Sequence, residues 1–334
     1  MKVLVTGATG FLGKALSFRL QKMGYEVTVL GRNLEICRQL EGSIFRVLKS
    51  DLTNNNQIIN ACENQNYVFH CGALSSPWGK YQDFYSANVI GTQNVVQGCM
   101  AHNINRLIHV STPSIYFDFT DKCNISERDV LPLKSVNAYA KTKLLAENEI
   151  DLAYQQGLSV MTIRPRGLFG PGDTAILPRL IKAHASMSLP LFKKGKVLVD
   201  MTYVDNVVEA LILCMNAPNE AIGKKFNITN DEPMYIIELL EKLFMRLGIK
   251  LKTKFVNYQI ANLVAGMLEH FYQLFYSNKE PPFTRYTLGL LAKDQTLNIT
   301  AAKNILGYKP QVSIEEGLDR YVASLTKVSR HHGD

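Results

Sequence analysis

Residues 3–13 read VLVTGATGFLG, a short apolar run that leads directly into three evenly spaced glycines. The apolar run predicts a buried strand, and the residues that follow it as far as Met23 repeat apolar side chains at helical spacing. Because glycine has no Cβ, Gly7 permits a tight turn between strand and helix, and Gly10 lets a ligand approach the backbone. Gly13 allows the helix to pack closely on the strand.

A strand–turn–helix unit of this kind is suited to binding phosphate groups. The first turn of a helix has N–H groups without intrahelical acceptors, and the helix dipole places partial positive charge there. The pyrophosphate of a dinucleotide is the ligand that fits such a turn, and a glycine-rich turn without a ligand is the alternative. The predicted contacts are Gly7, Thr9, Gly10, Phe11, Leu12 and Gly13.

The first half of the chain continues with the same alternation of strands and helices. Further apolar runs occur at residues 26–30, 67–71, 106–111 and 159–164, with stretches of helical periodicity between them. This alternation predicts a parallel sheet covered on both faces, and therefore a doubly wound α/β fold. We predict a dinucleotide-binding domain over residues 1–170, to which later segments return. A smaller substrate-binding or lid region is predicted over residues 171–325, covering the carboxyl ends of the strands.

The composition is that of a globular chain with a basic surface. Of 334 residues, 46% are hydrophobic and 20% are charged, and 37 basic against 29 acidic residues give a net charge of +8. The basic residues are scattered rather than clustered, so nucleic acid is not indicated as a partner. The six cysteines form no C-x-x-C pair and the seven histidines are dispersed. This pattern indicates no metal site and predicts reduced thiols in a cytoplasmic protein.

The segment Tyr139-Ala-Lys-Thr-Lys143 opens another stretch of helical periodicity. Positions i and i+4 share one helix face, so the phenol and the ammonium can meet there. A free phenol has a pKa of about 10, and a nearby ammonium is expected to lower it towards the range useful for proton transfer. Three hydroxyls, those of Ser111, Thr112 and Ser114, follow the preceding predicted strand. Any of them could orient a substrate oxygen at that strand end.

The G-x-x-G-x-x-G spacing, and the order in which the other motifs follow it, resemble the extended branch of the short-chain dehydrogenase/reductase superfamily. The resemblance implies a Rossmann-type sheet, a nicotinamide dinucleotide cofactor and a homodimer. It also implies that Tyr139 is the acid or base, that Lys143 tunes it and holds the nicotinamide ribose, and that Thr112 orients the substrate oxygen.

The same resemblance implies further cofactor contacts. Asp51 and Leu52 match the adenine contact, and Cys71, Gly72 and Ala73 match a turn that lines the cofactor. The segment 88–92, NVIGT, resembles the helix that supports the active site. The segment 164–171, RPRGLFGP, resembles the stretch beside the nicotinamide carboxamide, and it adds Pro165 and Gly167 to the predicted contacts.

The choice between NAD and NADP depends on the end of the second predicted strand. An acidic residue there accepts hydrogen bonds from the ribose 2′-hydroxyl and repels a 2′-phosphate. The strand instead ends in Leu30-Gly31-Arg32, and a guanidinium suits a phosphate. The sequence therefore favours NADP over NAD, with an arginine that merely faces solvent as the alternative.

Two positions at which this sequence differs from the sugar-nucleotide enzymes argue against that branch of the superfamily. Gly167 occupies the position where those enzymes carry an asparagine, and Pro113-Ser114 replaces the Asp-Glu pair of the dehydratases. Several segments instead resemble the 3β-hydroxysteroid dehydrogenase group, which includes sterol-4α-carboxylate 3-dehydrogenases and reductases that form β-ketoacid-derived alcohols. These segments are residues 164–173, 199–208, 226–233 and 302–310.

We therefore predict hydride transfer between nicotinamide and a small hydrophobic substrate, a steroid-like or long-chain secondary alcohol or ketone. The first alternative is a nucleotide-sugar epimerase or dehydratase. The second is a dinucleotide-sensing protein without catalysis, but such proteins typically lose the tyrosine or the lysine, and this chain keeps both. Whether a double bond is also isomerised stays open, because no extra base is identified.

Residues 255–276 read FVNYQIANLVAGMLEHFYQLFY and contain one formal charge, Glu269. Apolar side chains recur there at helical spacing, and Lys250, Lys252, Lys254 and Lys279 flank the run. The polar residues within it argue against a helix that crosses a membrane. The pattern fits an apolar lid, a helix that lies on a membrane surface, or a core or dimer-interface helix.

Overall fold

The computed structural model describes residues 1–41, 45–276 and 279–331. The strands within these residues are β1 (Lys2–Thr6), β2 (Glu26–Gly31), β3 (Arg46–Lys49), β4 (Tyr67–His70), β5 (Arg106–Val110), β6 (Lys122–Ile125), β7 (Val160–Pro165), β8 (Leu168–Phe169), β9 (Leu189–Leu191), β10 (Leu198–Val199), β11 (Thr202–Tyr203), β12 (Lys225–Ile228), β13 (Met234–Tyr235), β14 (Thr253–Phe255) and β15 (Gln295–Leu297). The α-helices are α1 (Phe11–Lys22), α2 (Leu34–Glu41), α3 (Asn55–Cys62), α4 (Tyr81–Phe84), α5 (Gly91–Ala101), α6 (Ala138–Gln155), α7 (Leu177–Ser186), α8 (Val204–Asn216), α9 (Ile236–Arg246), α10 (Tyr258–Phe275), α11 (Arg285–Ala292), α12 (Thr300–Leu306) and α13 (Ile314–His331).

A seven-stranded sheet lies at the centre, with the strand order β12-β7-β5-β4-β1-β2-β3. Every neighbouring pair in it is parallel. The chain starts in the middle at β1, builds outwards to β3, and then returns to the other side of β1 through β4. This reversal of direction is the switch point at which doubly wound sheets bind ligands, and it confirms the predicted fold class.

Both faces of the sheet are buried, as the continuous apolar strands predict. Along β1, Val3 and Val5 belong to one hydrophobic core, and Leu4 between them belongs to a second. The first core contains side chains of α1 and α8, and the second contains side chains of α3, α5 and α6. Helices therefore cover each face, because successive side chains of a strand point to opposite sides.

The segments after β7 build a smaller layer and also return to the main sheet. Strand β12 pairs with β7 at the edge of the seven-stranded sheet. A second sheet has the order β13-β10-β15-β6, so it joins a strand from the first half of the chain to three from the second. The division near residue 170, with later segments that return to the first domain, stays a prediction.

Helix α10 has an unusual orientation. Its apolar side chains at one helical face point to solvent: Ile260, Leu263, Met267, Phe271 and Leu274 are between 47% and 65% exposed. The opposite side contacts the protein through Ala265 and Gly266, which are buried. A helix on the surface of a globular protein normally turns its apolar face inwards. Among the described residues, no helix is both long and apolar enough to cross a bilayer.

Candidate active site

The glycine turn between β1 and α1 has the backbone geometry that the sequence predicts. Gly7 has a φ of +68°, and a Cβ at this position would lie 2.6 Å from the Cα of Gly72. A Cβ on Gly13 would lie 2.4 Å from the carbonyl oxygen of Gly7. Helix α1 begins after Gly10, which has no side chain to cap it. The turn is therefore a side-chain-free cradle at an uncapped helix N-terminus, which fits a pyrophosphate.

The turn after β4 packs directly against this cradle. A Cβ on Gly72 would lie 2.9 Å from Leu52 Cδ1 and 3.2 Å from Thr6 Oγ1. Cys71 and Ala73 flank Gly72 and are half-buried, and burial raises the pKa of the Cys71 thiol to about 12. The predicted contacts after β1, β3 and β4 thus meet at neighbouring strand ends.

A chain of hydrogen bonds links this turn to α6, the helix that carries Tyr139. Gly72 N–H donates to Thr6 Oγ1 at 3.2 Å, Thr6 Oγ1 lies 2.8 Å from His70 Nδ1, and His70 Nε2 lies 3.0 Å from Thr92 Oγ1. Because the Thr92 hydroxyl donates to the Asn88 carbonyl, it accepts from His70, which fixes the His70 proton on Nε2. Burial lowers the pKa of His70 to about 3, so the imidazole is neutral.

The last link of this chain reaches α6. The Asn88 amide donates to Thr142 Oγ1 at 3.0 Å and to the Leu74 carbonyl at 3.2 Å, and it accepts from Leu74 N–H. Thr142 lies between Tyr139 and Lys143 in sequence. The segment 88–92 therefore contacts the helix of Tyr139 and Lys143. Asn88 lies in a π-helical turn (Tyr85–Ile90), and Thr92 lies at the start of α5.

Tyr139 lies in the first turn of α6, whose N-cap Asn137 accepts a hydrogen bond from Ala140 N–H. Burial raises the pKa of Tyr139 to about 12, and the Thr112 hydroxyl beside it opposes this only in part. The expected lowering by Lys143 is not seen. The reason is that the Lys143 ammonium is bonded elsewhere, so the tyrosine is a neutral phenol.

The Lys143 ammonium is buried at the carboxyl end of β5. It donates to the Val110 carbonyl at 2.7 Å and lies 3.3 Å from His109 Nε2. Burial lowers the pKa of Lys143 to about 8, partly offset by Glu147. Burial also lowers the pKa of His109 well below its usual range, so neutral His109 accepts from the ammonium. Sequence reasoning missed His109, because a histidine inside an apolar strand gives no signal of its own.

The three hydroxyls after β5 have different surroundings. Thr112 caps the 3₁₀ turn Pro113–Tyr116 by accepting from Ser114 N–H, and it donates to Ser114 Oγ at 3.0 Å. Ser114 Oγ in turn lies 2.7 Å from the hydroxyl of Tyr286. The Ser111 hydroxyl is buried and has no hydrogen-bond partner within the part of the chain that the structure describes. Of the three hydroxyls, that of Thr112 lies beside Tyr139 and partly offsets the rise in the phenol's pKa.

Tyr286 belongs to α11 and was not predicted. Its position is set by Gly289 one turn later, where a Cβ would lie 2.9 Å from the rings of Phe117 and Phe119. Burial raises the pKa of Tyr286, and Tyr286 in turn raises that of Tyr139. The second half of the chain therefore covers the strand ends and adds a phenol to the cluster. No sequence spacing could have linked residue 286 to residue 114.

The segment after β7 forms the other wall of the site. Pro165 ends β7, and Gly167 has a φ of +57° with space for no side chain, since a Cβ would lie 2.7 Å from the Asp200 carbonyl oxygen. Arg166 between them is buried beside Tyr286 and Asp200. Burial raises the pKa of Asp200 to about 6.

Arg32 and Asp51 lie together at the ends of β2 and β3. The Arg32 guanidinium is 3.3 Å from Asp51 Oδ2, and both side chains are substantially exposed. Burial raises the pKa of Asp51, but hydrogen bonds from Thr53 and Arg32 outweigh it and hold the pKa below its usual range. Thr9 lies nearby, because a Cβ on Gly31 would lie 2.4 Å from its side chain.

The predicted residues therefore follow one edge of the sheet, with Arg32 and Asp51 at one end, the glycine cradle in the middle, and Thr112, Tyr139, Lys143 and Gly167 at the other. An elongated dinucleotide fits this arrangement. In the described ranges, no group of three or more histidine, cysteine or acidic side chains could hold a metal ion.

Comparison with known proteins decides the family. The sequence profile of the NAD dependent epimerase/dehydratase family matches residues 3–229. The chain belongs to this family. It is an oxidoreductase of the extended short-chain dehydrogenase type, as the motifs predict.

Individual relatives cover nearly the whole chain. A 2-alkyl-3-oxoalkanoate reductase of Stenotrophomonas maltophilia is 36% identical over 329 residues, which are 97% of this chain and 99% of that protein. The decarboxylating sterol-4-alpha-carboxylate 3-dehydrogenase of Homo sapiens is 30% identical over 98% of this chain and 88% of its own. The UDP-glucuronic acid 4-epimerase of Bacillus cereus, solved with NAD, has the same fold, with a TM-score of 0.79 at 23% identity over 98% of this chain and 99% of that chain.

Proposed function

We propose that the protein interconverts a hydrophobic ketone and its secondary alcohol. The observation that carries this proposal is the cluster of Tyr139, Thr112 and Lys143 at the strand ends beside the glycine cradle. Gly7, Gly10, Gly13 and the first turn of α1 would hold the cofactor phosphates. A bound nicotinamide would supply or accept the hydride.

Tyr139 moves the proton in this reaction. Since its pKa is about 12, it is a protonated phenol at neutral pH and gives its proton to the oxygen of a carbonyl substrate. Thr112 lies beside the phenol and orients the same oxygen. The proton then returns to Tyr139 from solvent. Lys143, fixed by the Val110 carbonyl and His109, would hold the nicotinamide ribose through its charged ammonium.

The substrate class is supported by the relatives and by the wall after β7. The two relatives named above act, by their names, on an alkyl-branched oxoalkanoate and on a sterol carboxylate. Gly167 leaves no room for the asparagine side chain of sugar-nucleotide enzymes, because the Asp200 carbonyl occupies that space. The likeness to a UDP-glucuronic acid 4-epimerase extends to the fold alone.

The direct test follows the absorbance of reduced nicotinamide with long-chain ketones and 3β-hydroxysteroids, and separates UDP-sugars from their products by chromatography, because epimerisation consumes no net cofactor. We expect turnover of the apolar substrates, and a loss of roughly 10²–10⁴-fold in Tyr139→Phe, because the general acid is removed. The matched control is Tyr154→Phe, which makes the same change at an exposed tyrosine near the other end of α6. Near-normal turnover by Tyr139→Phe, or turnover of UDP-sugars alone, would contradict the proposal.

We further propose that NADP is preferred over NAD. The exposed Arg32 directly follows β2. Among the described residues its one ion pair is the 3.3 Å contact with Asp51, a surface pair of about 0–1 kcal/mol that a 2′-phosphate can displace. Arg32→Ala should therefore raise the KM for NADP by tenfold or more and change that for NAD little. An equal effect on both cofactors would mean that Arg32 does not contact the 2′-phosphate.

The outward apolar face of α10 supports a third part of the proposal, that the protein docks on an anionic bilayer. The face is defined by Ile260, Leu263, Met267, Phe271 and Leu274. Lysines lie exposed just before the helix and at residue 279 after it, and the helix's single carboxylate, Glu269, is paired with Arg285 at 3.4 Å. Apolar burial with lysines at both ends suits a helix lying at the interface of an anionic membrane. Helix α11, which carries Tyr286 to the active site, packs against α10, so an apolar substrate could enter from the lipid.

Flotation with vesicles of anionic and of neutral phospholipid tests this docking. We expect wild-type protein to bind the anionic vesicles, Leu263→Glu to lose binding, and Gln273→Glu, which adds the same charge on another exposed side of α10, to keep most of it. If Leu263→Glu instead converts a wild-type dimer into a monomer in light scattering, the face is a contact between two copies and the bilayer proposal is wrong.

A further inference from the structure

Four hydroxyl groups from three separate segments form one continuous hydrogen-bonded chain at the active site. The Tyr139 phenol is hydrogen-bonded to the Thr112 hydroxyl. Thr112 Oγ1 donates to Ser114 Oγ at 3.0 Å, and Ser114 Oγ lies 2.7 Å from the hydroxyl of Tyr286. Each hydroxyl has a proton to donate and oxygen lone pairs that accept, so neighbours along the chain can exchange protons. The chain therefore joins the phenol assigned to proton transfer to a second phenol on α11.

The protons of this hydroxyl chain have one consistent orientation. The Thr112 hydroxyl has a single proton and gives it to Ser114, so in its bond with Tyr139 it is the acceptor. The Ser114 proton cannot return to Thr112, so it is given to the oxygen of Tyr286. Tyr286 then carries the last proton, which has no acceptor among the residues that the structure describes. The chain thus points outwards from Tyr139 and ends in a free donor at Tyr286.

Solvent reaches the outer end of the hydroxyl chain but not its middle. Thr112 and Ser114 are buried, whereas Tyr286 is only half-buried. The Arg166 guanidinium beside Tyr286 has no hydrogen-bond partner in the described part of the chain, yet none of its nitrogens is among the unpartnered atoms there that are sealed from solvent. Water therefore reaches the space next to Tyr286. Burial raises the pKa of Tyr286 and the charge of Arg166 opposes this rise, which eases the passage of a proton through that phenol.

Tyr139 needs such a route once the cleft is filled. A substrate and a nicotinamide in the cleft exclude water from the phenol on that side. Lys143 does not bond to the phenol in this structure, because its ammonium donates to the Val110 carbonyl and to His109. The Thr112 hydroxyl is the polar contact of the phenol that leads away from the cleft.

We propose that this hydroxyl chain carries the proton between Tyr139 and solvent, with Tyr286 as its outer end. The inference rests on the proposed oxidoreductase function and adds the path of the proton. In the reductive direction the carbonyl carbon gains a hydride and its oxygen gains the Tyr139 proton. The phenolate then takes the Thr112 proton, and Thr112 takes that of Ser114. Ser114 takes the proton of Tyr286, which takes one from solvent, so each alcohol formed consumes one hydride and one proton.

The two directions use the chain differently. For reduction, the hydroxyls must turn towards Tyr139, and the negative charge that forms on its oxygen favours this reversal. For oxidation, the orientation found in the structure already leads the Tyr139 proton outwards through Thr112, so that the phenol can take the proton of the alcohol.

The test separates hydride transfer from proton uptake in a single turnover of a long-chain ketone by excess enzyme. The absorbance of reduced nicotinamide follows the hydride, and a pH indicator in weakly buffered solution follows the proton. We expect the two traces to coincide in wild type and in the control Tyr154→Phe. In Tyr286→Phe, hydride transfer should stay within about twofold, because Tyr139 starts protonated, while proton uptake should slow by about tenfold or more. Added imidazole, a small proton carrier, should restore the uptake.

Ser114→Ala breaks the chain in its middle and tests whether the hydroxyls act in series. Proton uptake should slow as much as in Tyr286→Phe, and the double variant should be no slower than either single one. Coincident hydride and proton traces in Tyr286→Phe would overturn the chain. Equal slowing of both steps without rescue by imidazole would also overturn it, because the substitution would then have disturbed the site as a whole.

A second measurement tests the chain without turnover. Carbon NMR of the Tyr139 ζ carbon at neutral pH reports whether the phenol donates or accepts a hydrogen bond. Tyr286→Phe should shift this resonance, because Ser114 loses its acceptor and turns towards Thr112, and the shift should be absent when Ser114→Ala is already present. If wild type transfers no hydride to any ketone, the proposed function fails and this resonance decides the chain. An unmoved resonance in Tyr286→Phe, or an equal shift in both backgrounds, would overturn it.

Discussion

Replacement of His109 by leucine should shift the pH range in which the enzyme works. The neutral imidazole is the only side-chain acceptor that Lys143 has among the described residues, at 3.3 Å, and the Val110 carbonyl is its second acceptor. Leucine fills most of the same volume but accepts no hydrogen bond. The buried ammonium then loses part of the interaction that keeps it charged.

The size of the shift follows from the energy of that contact. A hydrogen bond to a charged group contributes about 1.5–3 kcal/mol, and about 1.4 kcal/mol corresponds to one pKa unit. Since Lys143 has a pKa of about 8, His109→Leu should lower it to about 6–7. The long 3.3 Å distance favours the smaller change. The other ionisable groups that act on or respond to Lys143 are Glu147, Cys71 and His70, and the substitution leaves them in place.

The assay is the pH dependence of kcat/KM for ketone reduction, from about pH 5 to about pH 10. Activity that requires charged Lys143 falls as the pH rises through the lysine pKa, so the alkaline limb should move from about 8 in wild type to about 6–7 in His109→Leu. His109→Gln, which can offer an amide oxygen near the position of Nε2, should restore most of the wild-type profile. An unshifted limb in His109→Leu would refute the argument, and so would equal shifts in both variants.

Two further predictions concern stability: one tests the close backbone packing at Gly7, and the other tests the buried ion pair of Glu147. Gly7→Ala should abolish dinucleotide binding and lower the melting temperature, because the new Cβ would lie 2.6 Å from the backbone of Gly72. The control is Gly24→Ala, which is also at positive φ but has no described atom within 4 Å of the new Cβ. It should lower the free energy of unfolding by only about 1 kcal/mol. Fluorescence titration with reduced cofactor and thermal unfolding check both, and equal losses would contradict the steric argument. Glu147→Gln should cost about 3–5 kcal/mol in urea unfolding, because it leaves the buried Arg164 guanidinium, now 2.5 Å from the carboxylate, without its counter-ion. Asp151→Asn removes a half-exposed ion pair and should cost about 1 kcal/mol or less, so similar values for the two acids would refute the burial argument.

The fold could be predicted from the sequence because its signals are local. The strand of residues 3–6 and the helix after it follow from apolar periodicity, and the structure ends that helix at Lys22, one residue before the predicted end. The i, i+4 spacing of Tyr139 and Lys143 could likewise be read from one segment. Each of these inferences needs only residues that are close together in the chain.

The remaining parts of the site arise from contacts between distant segments. Tyr286 meets Ser114 across 172 positions, and His109 meets Lys143 across a strand and a helix. No periodicity within either segment encodes such a meeting. The prediction that the Tyr139 pKa is lowered was wrong for the same reason. The sequence places an ammonium one turn away, but burial and the bond to the Val110 carbonyl decide where that ammonium points.

The protonation state of the site bears on the direction of catalysis. A phenol with a pKa of about 12 gives a proton to a developing alkoxide readily, but it must first lose its own proton to serve as a base. Lys143 has a pKa of about 8 and is mostly charged at neutral pH, but its ammonium is bonded to the Val110 carbonyl and does not lower the pKa of the phenol. Oxidation of the alcohol therefore requires a higher pH than reduction of the ketone. The two directions should show separate pH optima, with the optimum for reduction on the acidic side, and coincident optima would mean that Tyr139 is not the group whose proton is transferred.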